Sequence, residues 1–94
     1  MIILQIEHMT PHFEEWKKAF EADPVNRKKS GVRHYRIYRP IDDPSYVVID
    51  LEFENLKGAE ETLTALRSLW NKVEGQVMMK PKTRIMDLVE TMDV

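Results

Sequence analysis

The run from Val32 to Phe53 constrains this chain most. Tyr46-Val-Val-Ile-Asp-Leu-Glu-Phe53 alternates, with Val47, Ile49, Leu51 and Phe53 on one side of a strand and Tyr46, Val48, Asp50 and Glu52 on the other. Val32-Arg-His-Tyr-Arg-Ile-Tyr-Arg39 alternates likewise, with Tyr35 and Ile37 opposed to His34, Arg36 and Tyr38. Between them, Pro40-Ile-Asp-Asp-Pro44 is turn material, because proline fixes φ and aspartate hydrogen-bonds its own backbone. The run reads as a β-hairpin. Paired residues must share a face, and opposite charges across a strand pair stabilise it by a few tenths to about 1 kcal/mol. The register that sets Ile37 opposite Ile49 and Tyr35 opposite Leu51 also sets Arg36 opposite Asp50 and His34 opposite Glu52. The neighbouring register would set Arg36 against Val48 and lose that gain.

The rest of the chain supplies partners for the hairpin. Ile2 to His8 reads as a first strand, with Ile2, Leu4 and Ile6 on one face and Ile3, Gln5 and Glu7 on the other. Thr10-Pro11 predicts a helix N-cap followed by proline at the first helical position. Glu14 and Glu15 early and Lys17 and Lys18 later suit the helix dipole, and Phe13, Trp16 and Phe20 form one apolar stripe. Asp23-Pro24 repeats the cap-and-proline signal before a short helical piece, 24–30, which Gly31 stops. Asn55 caps a long helix, 56–73, whose stripe is Leu56, Ala59, Leu63, Leu66, Trp70 and Val73. Residues 75–82 read as a loop and 83–89 as a last strand. The order β-α-β-β-α-β predicts a ferredoxin-like α+β fold in one domain, 1–94: a four-stranded antiparallel sheet with both helices on one face. The apolar strand faces should meet the helices. The opposite face is mixed, and aromatics beside charges there predict cover by a second copy or a ligand.

Composition narrows the function classes. With no cysteine among 94 residues, disulfides, thiol nucleophiles and Cys-based metal sites are excluded. No apolar run is long enough for a signal peptide or a membrane span, so a soluble, cytoplasmic protein is expected. A net charge of −2 gives no general pull toward nucleic acid. Asp50 and Glu52 on the third strand would repel phosphate where an RNA-recognition motif carries aromatic and basic residues. Arg27, Lys28, Lys29, Arg33, Arg36 and Arg39 form a basic segment, read as a solvated helix end plus hairpin edge. His8, His12 and His34 match no metal-ligand spacing, and no metal site is expected.

Nearly the whole chain resembles the dimeric α/β-barrel superfamily, in its antibiotic-biosynthesis-monooxygenase-like branch. The resemblance is carried by His8 closing the first strand, Phe13-Glu-Glu-Trp-Lys-Lys-Ala-Phe20, Gly31-Val-Arg-His-Tyr-Arg-Ile-Tyr-Arg39, Asp42-Asp-Pro-Ser-Tyr-Val-Val48, and Leu51-Glu-Phe-Glu-Asn-Leu56. It implies a homodimer closed through the uncovered sheet faces, with a pocket for a small aromatic or polyketide-like molecule and chemistry without metal or flavin. The haem-degrading branch fits poorly: Trp70 could match its helix-two Trp, but no His follows His34, and Gln5 is the nearest residue to its first-strand Asn. In the catalytic reading, His34, Asp50 or Glu52 acts as general base and Arg36 holds a developing anion. The alternative is cross-strand salt bridging at the dimer interface. Tyr38, Tyr46, His8 and Trp70 are candidate ligand contacts, although Trp16 and Trp70, on apolar helical stripes, read as core first and Tyr38 and Tyr46 equally read as closing the barrel mouth. Met78-Met79 could form a lid or touch the partner copy. A non-catalytic ligand-binding or self-assembly module is the rival function.

Overall fold

The third strand sits inside the sheet because its alternation lets helices cover one face. In the computed structural model, which describes residues 1–23, 26–73 and 79–94, the elements are β1 (Ile2–Met9), α1 (Phe13–Glu21), α2 (Arg27–Ser30), β2 (Val32–Tyr38), β3 (Tyr46–Phe53), α3 (Leu56–Val73) and β4 (Met79–Asp87). The strands form one sheet in the order β2-β3-β1-β4, each pair antiparallel. This is the ferredoxin-like arrangement.

The hairpin register is the charge-matched one: Arg36 opposite Asp50, Ile37 opposite Ile49 and His34 opposite Glu52, with a bulge between Val32 and His34. Its turn closes with Asp43 N–H to Pro40 O at 3.2 Å, and the Asp43 carboxylate accepts from Ser45 N–H at 3.1 Å. Val47, Ile49, Leu51 and Phe53 are buried with Leu4 and Ile6 beneath Trp16 of α1 and Ala59 and Trp70 of α3. Each such large side chain contributes about 1.5–3 kcal/mol on burial. Tyr35 lies on the same face but at the margin, 47% exposed, edge-on to Phe20 with centroids 5.1 Å apart.

Asn55 caps α3 as its sequence predicts, its Oδ1 accepting from Gly58 N–H at 2.8 Å. Gly58 is where helix and sheet come close, since a Cβ there would lie 3.3 Å from Phe53 Cδ2. Gly31 ends α2 at φ 100°, which a side chain would strain.

Two expected boundaries shift. Thr10 does not cap α1: its N–H bonds Ser45 O at 2.6 Å, extending the strand contact, and the helix starts at Phe13 with His12 in the cap position. The expected loop over 75–82 ends early, because β4 already begins at Met79. Pro81 is accommodated within β4 because this is an edge strand, where a missing N–H is tolerated. Pro24 and Val25 of the expected short helix, and residues 74–78 with Met78, lie outside the described residues. Among the described residues, no helix is long and apolar enough to cross a membrane.

Candidate functional site

Alternation and register fix which side chains meet on the sheet face away from the helices. Across β2, β3, β1 and β4 the rows are His34, Glu52, Ile3, Met86; then Arg36, Asp50, Gln5, Arg84; then Tyr38, Val48, Glu7, Lys82. The inner strands carry the carboxylates and the outer strands the cations. The structure therefore brings His34, Arg36, Tyr38, Asp50 and Glu52 together, with Tyr46 just beyond the third row.

Asp50 is the hub of the face. Gln5 Nε2 donates to its Oδ1 at 3.0 Å, and Tyr38 OH donates to its Oδ2 at 3.2 Å. Arg36 Nη1 stands 3.9 Å from Glu52 Oε2, with the arginine side chain 62% exposed and the glutamate side chain 14%. Tyr46 OH donates to Glu7 Oε1 at 2.9 Å. Desolvation, then the charge of Asp50, pushes the Tyr38 phenol above its ordinary pKa, and desolvation with the bond to Glu7 does the same for Tyr46. Both phenols therefore stay protonated donors at neutral pH.

His8 and Trp70 lie elsewhere. His8 is 1% exposed on the helix side, edge-on to Trp16 at 5.7 Å, with Nδ1 donating to Met9 O at 3.0 Å. Burial pulls its pKa below the ordinary imidazole value, partly offset by that backbone bond. Trp70 is in the helix-side core and walls a cleft of ≈ 260 Å³ with Arg67, Asn71, Pro81 and Thr83. The expected site residues thus divide between the two faces of the sheet.

Sequence reasoning put Gln5 and Glu7 on the open face but gave them no role, and it missed Arg84 and Lys82. Lys82 was hidden by the assignment of 75–82 as a loop; alternation through a strand starting at Met79 would have found both. Among the described residues, no three His, Asp or Glu side chains come together as a metal site.

No family model matches the chain, and no curated protein does. Solved structures do. A candidate antibiotic biosynthesis monooxygenase from Deinococcus radiodurans superposes with a TM-score of 0.76 at 12% identity, covering 100% of this chain and 98% of that one. A dimeric ferredoxin-like protein from an uncultured marine organism gives 0.72 at 14%, covering 97% of each. A MhuD mutant holding two manganese protoporphyrin IX molecules per active site gives 0.69 at 13%, covering 100% of each. The fold of this chain is the ferredoxin-like α+β fold of the antibiotic-biosynthesis-monooxygenase-like proteins.

Proposed function

We propose that this protein pairs two copies through their open sheet faces and oxygenates a small aromatic or polyketide-like molecule without metal or flavin. The observation that carries this is the held carboxylate of Asp50, in the register position opposite Arg36 and next to Glu52 and His34. Ile3, Val48 and Met86 on the same face offer apolar surface to a ring. A second copy would exclude water and strengthen each charge interaction within the site.

Asp50 takes a phenolic proton, with Glu52 or His34 as its relay, and Arg36 faces the resulting phenolate. Tyr38 and Tyr46, whose O–H groups donate to Asp50 and Glu7, orient the ring with their own rings and with the acceptor lone pairs of their oxygens. The phenolate passes electrons to dioxygen, a carbon–oxygen bond forms at the para carbon, and water leaves. Phenol plus dioxygen thereby becomes quinone plus water. His8 holds the helix side of the sheet. Trp70 walls a separate cleft that could take an extension of the ligand.

The manganese protoporphyrin IX of the MhuD mutant is not assigned to this chain. His8 is buried against Trp16, His12 sits at the start of α1 and His34 is on β2, so no imidazole lies on α3 beside Trp70. The rival reading, a non-catalytic binding or assembly module, is favoured by one fact: Asp50 and Glu7 already have hydrogen-bond partners within the chain.

Asp50→Ala and Arg36→Ala decide between them. Dioxygen uptake with a panel of polycyclic phenols is lost in both variants while native mass spectrometry still shows twice 11.1 kDa. Undiminished turnover in Asp50→Ala removes it from the chemistry, and saturable binding without uptake in the parent protein establishes the rival.

A further inference from the structure

We propose that the cleft between α2 and the first half of β2 is a second small-molecule site, which binds a phosphate monoester carrying an aromatic or heterocyclic ring. It is separate from the open face and needs none of the chemistry placed there.

The cleft has a volume of ≈ 400 Å³, with Asp23, Arg27 and Lys28 on one wall and Arg33, His34 and Tyr35 on the other. Small-molecule sites fall in the range of about 300–1,000 Å³. The arginines and lysine that read in the sequence as a solvated surface thus enclose a concavity.

Arg27 is held in place. Its side chain is 15% exposed, Nη1 donates to Phe20 O at 2.8 Å, and the same nitrogen stands 3.4 Å from Asp23 Oδ1. The guanidinium carbon lies 3.9 Å from the Phe20 centroid and 5.1 Å from that of Tyr35. Five N–H donors exceed these two polar partners, and a guanidinium so fixed loses little freedom on meeting an anion. Asp23 is itself tied down, accepting from Arg27 N–H at 2.8 Å.

Arg33 reaches the same cleft through the bulge. Val32 pairs with Phe53 and His34 with Glu52, so Arg33 is the extra residue and stands outside the ladder. A bulge of this kind re-aims the side chains around it. Arg33 meets Glu54 at 2.9 Å, but both side chains are more than half exposed, and such a pair is weak enough to yield to a better anion. Lys28 has no ion pair among the described residues.

Charge and shape then choose the ligand. With Arg33 released from Glu54, three cations face Asp23 alone, a surplus of two positive charges in a chain of net charge −2. A phosphate monoester carries about −1.5 to −2 at pH 7 and matches that surplus, whereas a carboxylate leaves half of it unmet. The surplus is confined to one cleft of an acidic chain, which suits a small anion rather than a long polyanion. Tyr35, about half exposed, and Val32 supply the surface on which a ring can lie.

Amide chemical-shift titrations of the full chain test this with phenyl phosphate, adenosine monophosphate, inorganic phosphate and phenol. Both esters should give saturable shifts at Lys28, Arg33 and Tyr35 and bind about tenfold or more tighter than inorganic phosphate, while phenol moves none of these amides. Lys28→Ala/Arg33→Ala, which alters exposed side chains, should weaken both esters by about tenfold or more. Tyr35→Leu should bring them to within about threefold of inorganic phosphate and leave inorganic phosphate itself unchanged. Arg36→Ala, on the open face, should leave ester binding within about twofold of the parent. Full ester affinity in Lys28→Ala/Arg33→Ala, or loss of binding in Arg36→Ala, places the anion elsewhere and overturns the site. Esters that bind no tighter than inorganic phosphate overturn the ring assignment, and the absence of shifts with every probe overturns the whole proposal.

Discussion

His8 shows how one buried titratable residue makes the whole fold sensitive to acid. It sits on the helix side, edge-on to Trp16, and burial holds its pKa below the 6.5 of an exposed imidazole. The unfolded chain therefore takes up the proton first as pH falls. The stability from the neutral ring is complete above about pH 6.5 and erodes as pH drops toward the lower folded value. The melting temperature should fall more between about pH 7.5 and about pH 5 in the parent than in His8→Leu, which has nothing to titrate there. Equal slopes would mean that other groups carry the acid sensitivity. The position of His8 was legible, because it shares parity with Ile2, Leu4 and Ile6; a ligand contact was expected of it against that parity. The pairing of Arg36 with Asp50 was legible from charge. The bond that Gln5 makes to Asp50 was not, because it depends on the register of β1 against β3, which no short turn fixes in the sequence. The Tyr38 bond lies within the hairpin, but it runs diagonally to Asp50 and alternation names only the residue directly opposite.

Among the elements, α3 is the one whose ends and face were readable from local chemistry alone. Its cap is a side-chain acceptor at Asn55 and its stripe runs five turns, so little depends on distant contacts. Asn55→Ala leaves the Gly58 N–H without its acceptor at 2.8 Å and should cost about 1 kcal/mol. Thermal unfolding should shift down by roughly 4–8 °C for a chain of this size. No shift would mean that another acceptor replaces the side chain. The start of α1 was misread for the opposite reason: Thr10-Pro11 has cap chemistry, but the Ser45 carbonyl takes the Thr10 N–H and holds the residue in the sheet. The same holds for the start of β4, where Pro81 reads as a loop until the strand is known to be an edge. Local signals failed where a non-local hydrogen bond or strand order decided the outcome.

At the scale of the molecule, a net charge of −2 is too small to dominate association, so the pattern on the open face decides it. Arg36 and Arg84 end the middle row, while Glu52 and Glu7 stand on the inner strands in the rows above and below. Strands lie about 4.8 Å apart and same-face residues along a strand about 6.8 Å, so the face is nearly as broad as it is long. Two such faces crossed at right angles about a two-fold axis exchange rows for strands. Each end of the middle row then falls over the centre of an outer row of the partner, placing Arg36 and Arg84 near the partner's acidic positions. Aligned packing would instead set basic outer strands against each other. A dimer crossed in this way would rest on many such charge contacts, none of them decisive alone, and would be reached through a charged encounter, so its formation should be salt-dependent. Between about 0.05 M and about 0.5 M salt, dissociation constants from sedimentation velocity should rise by roughly tenfold. If affinity instead rises with salt, burial of Ile3, Val48 and Met86 drives the pairing and the charge pattern of this face does not.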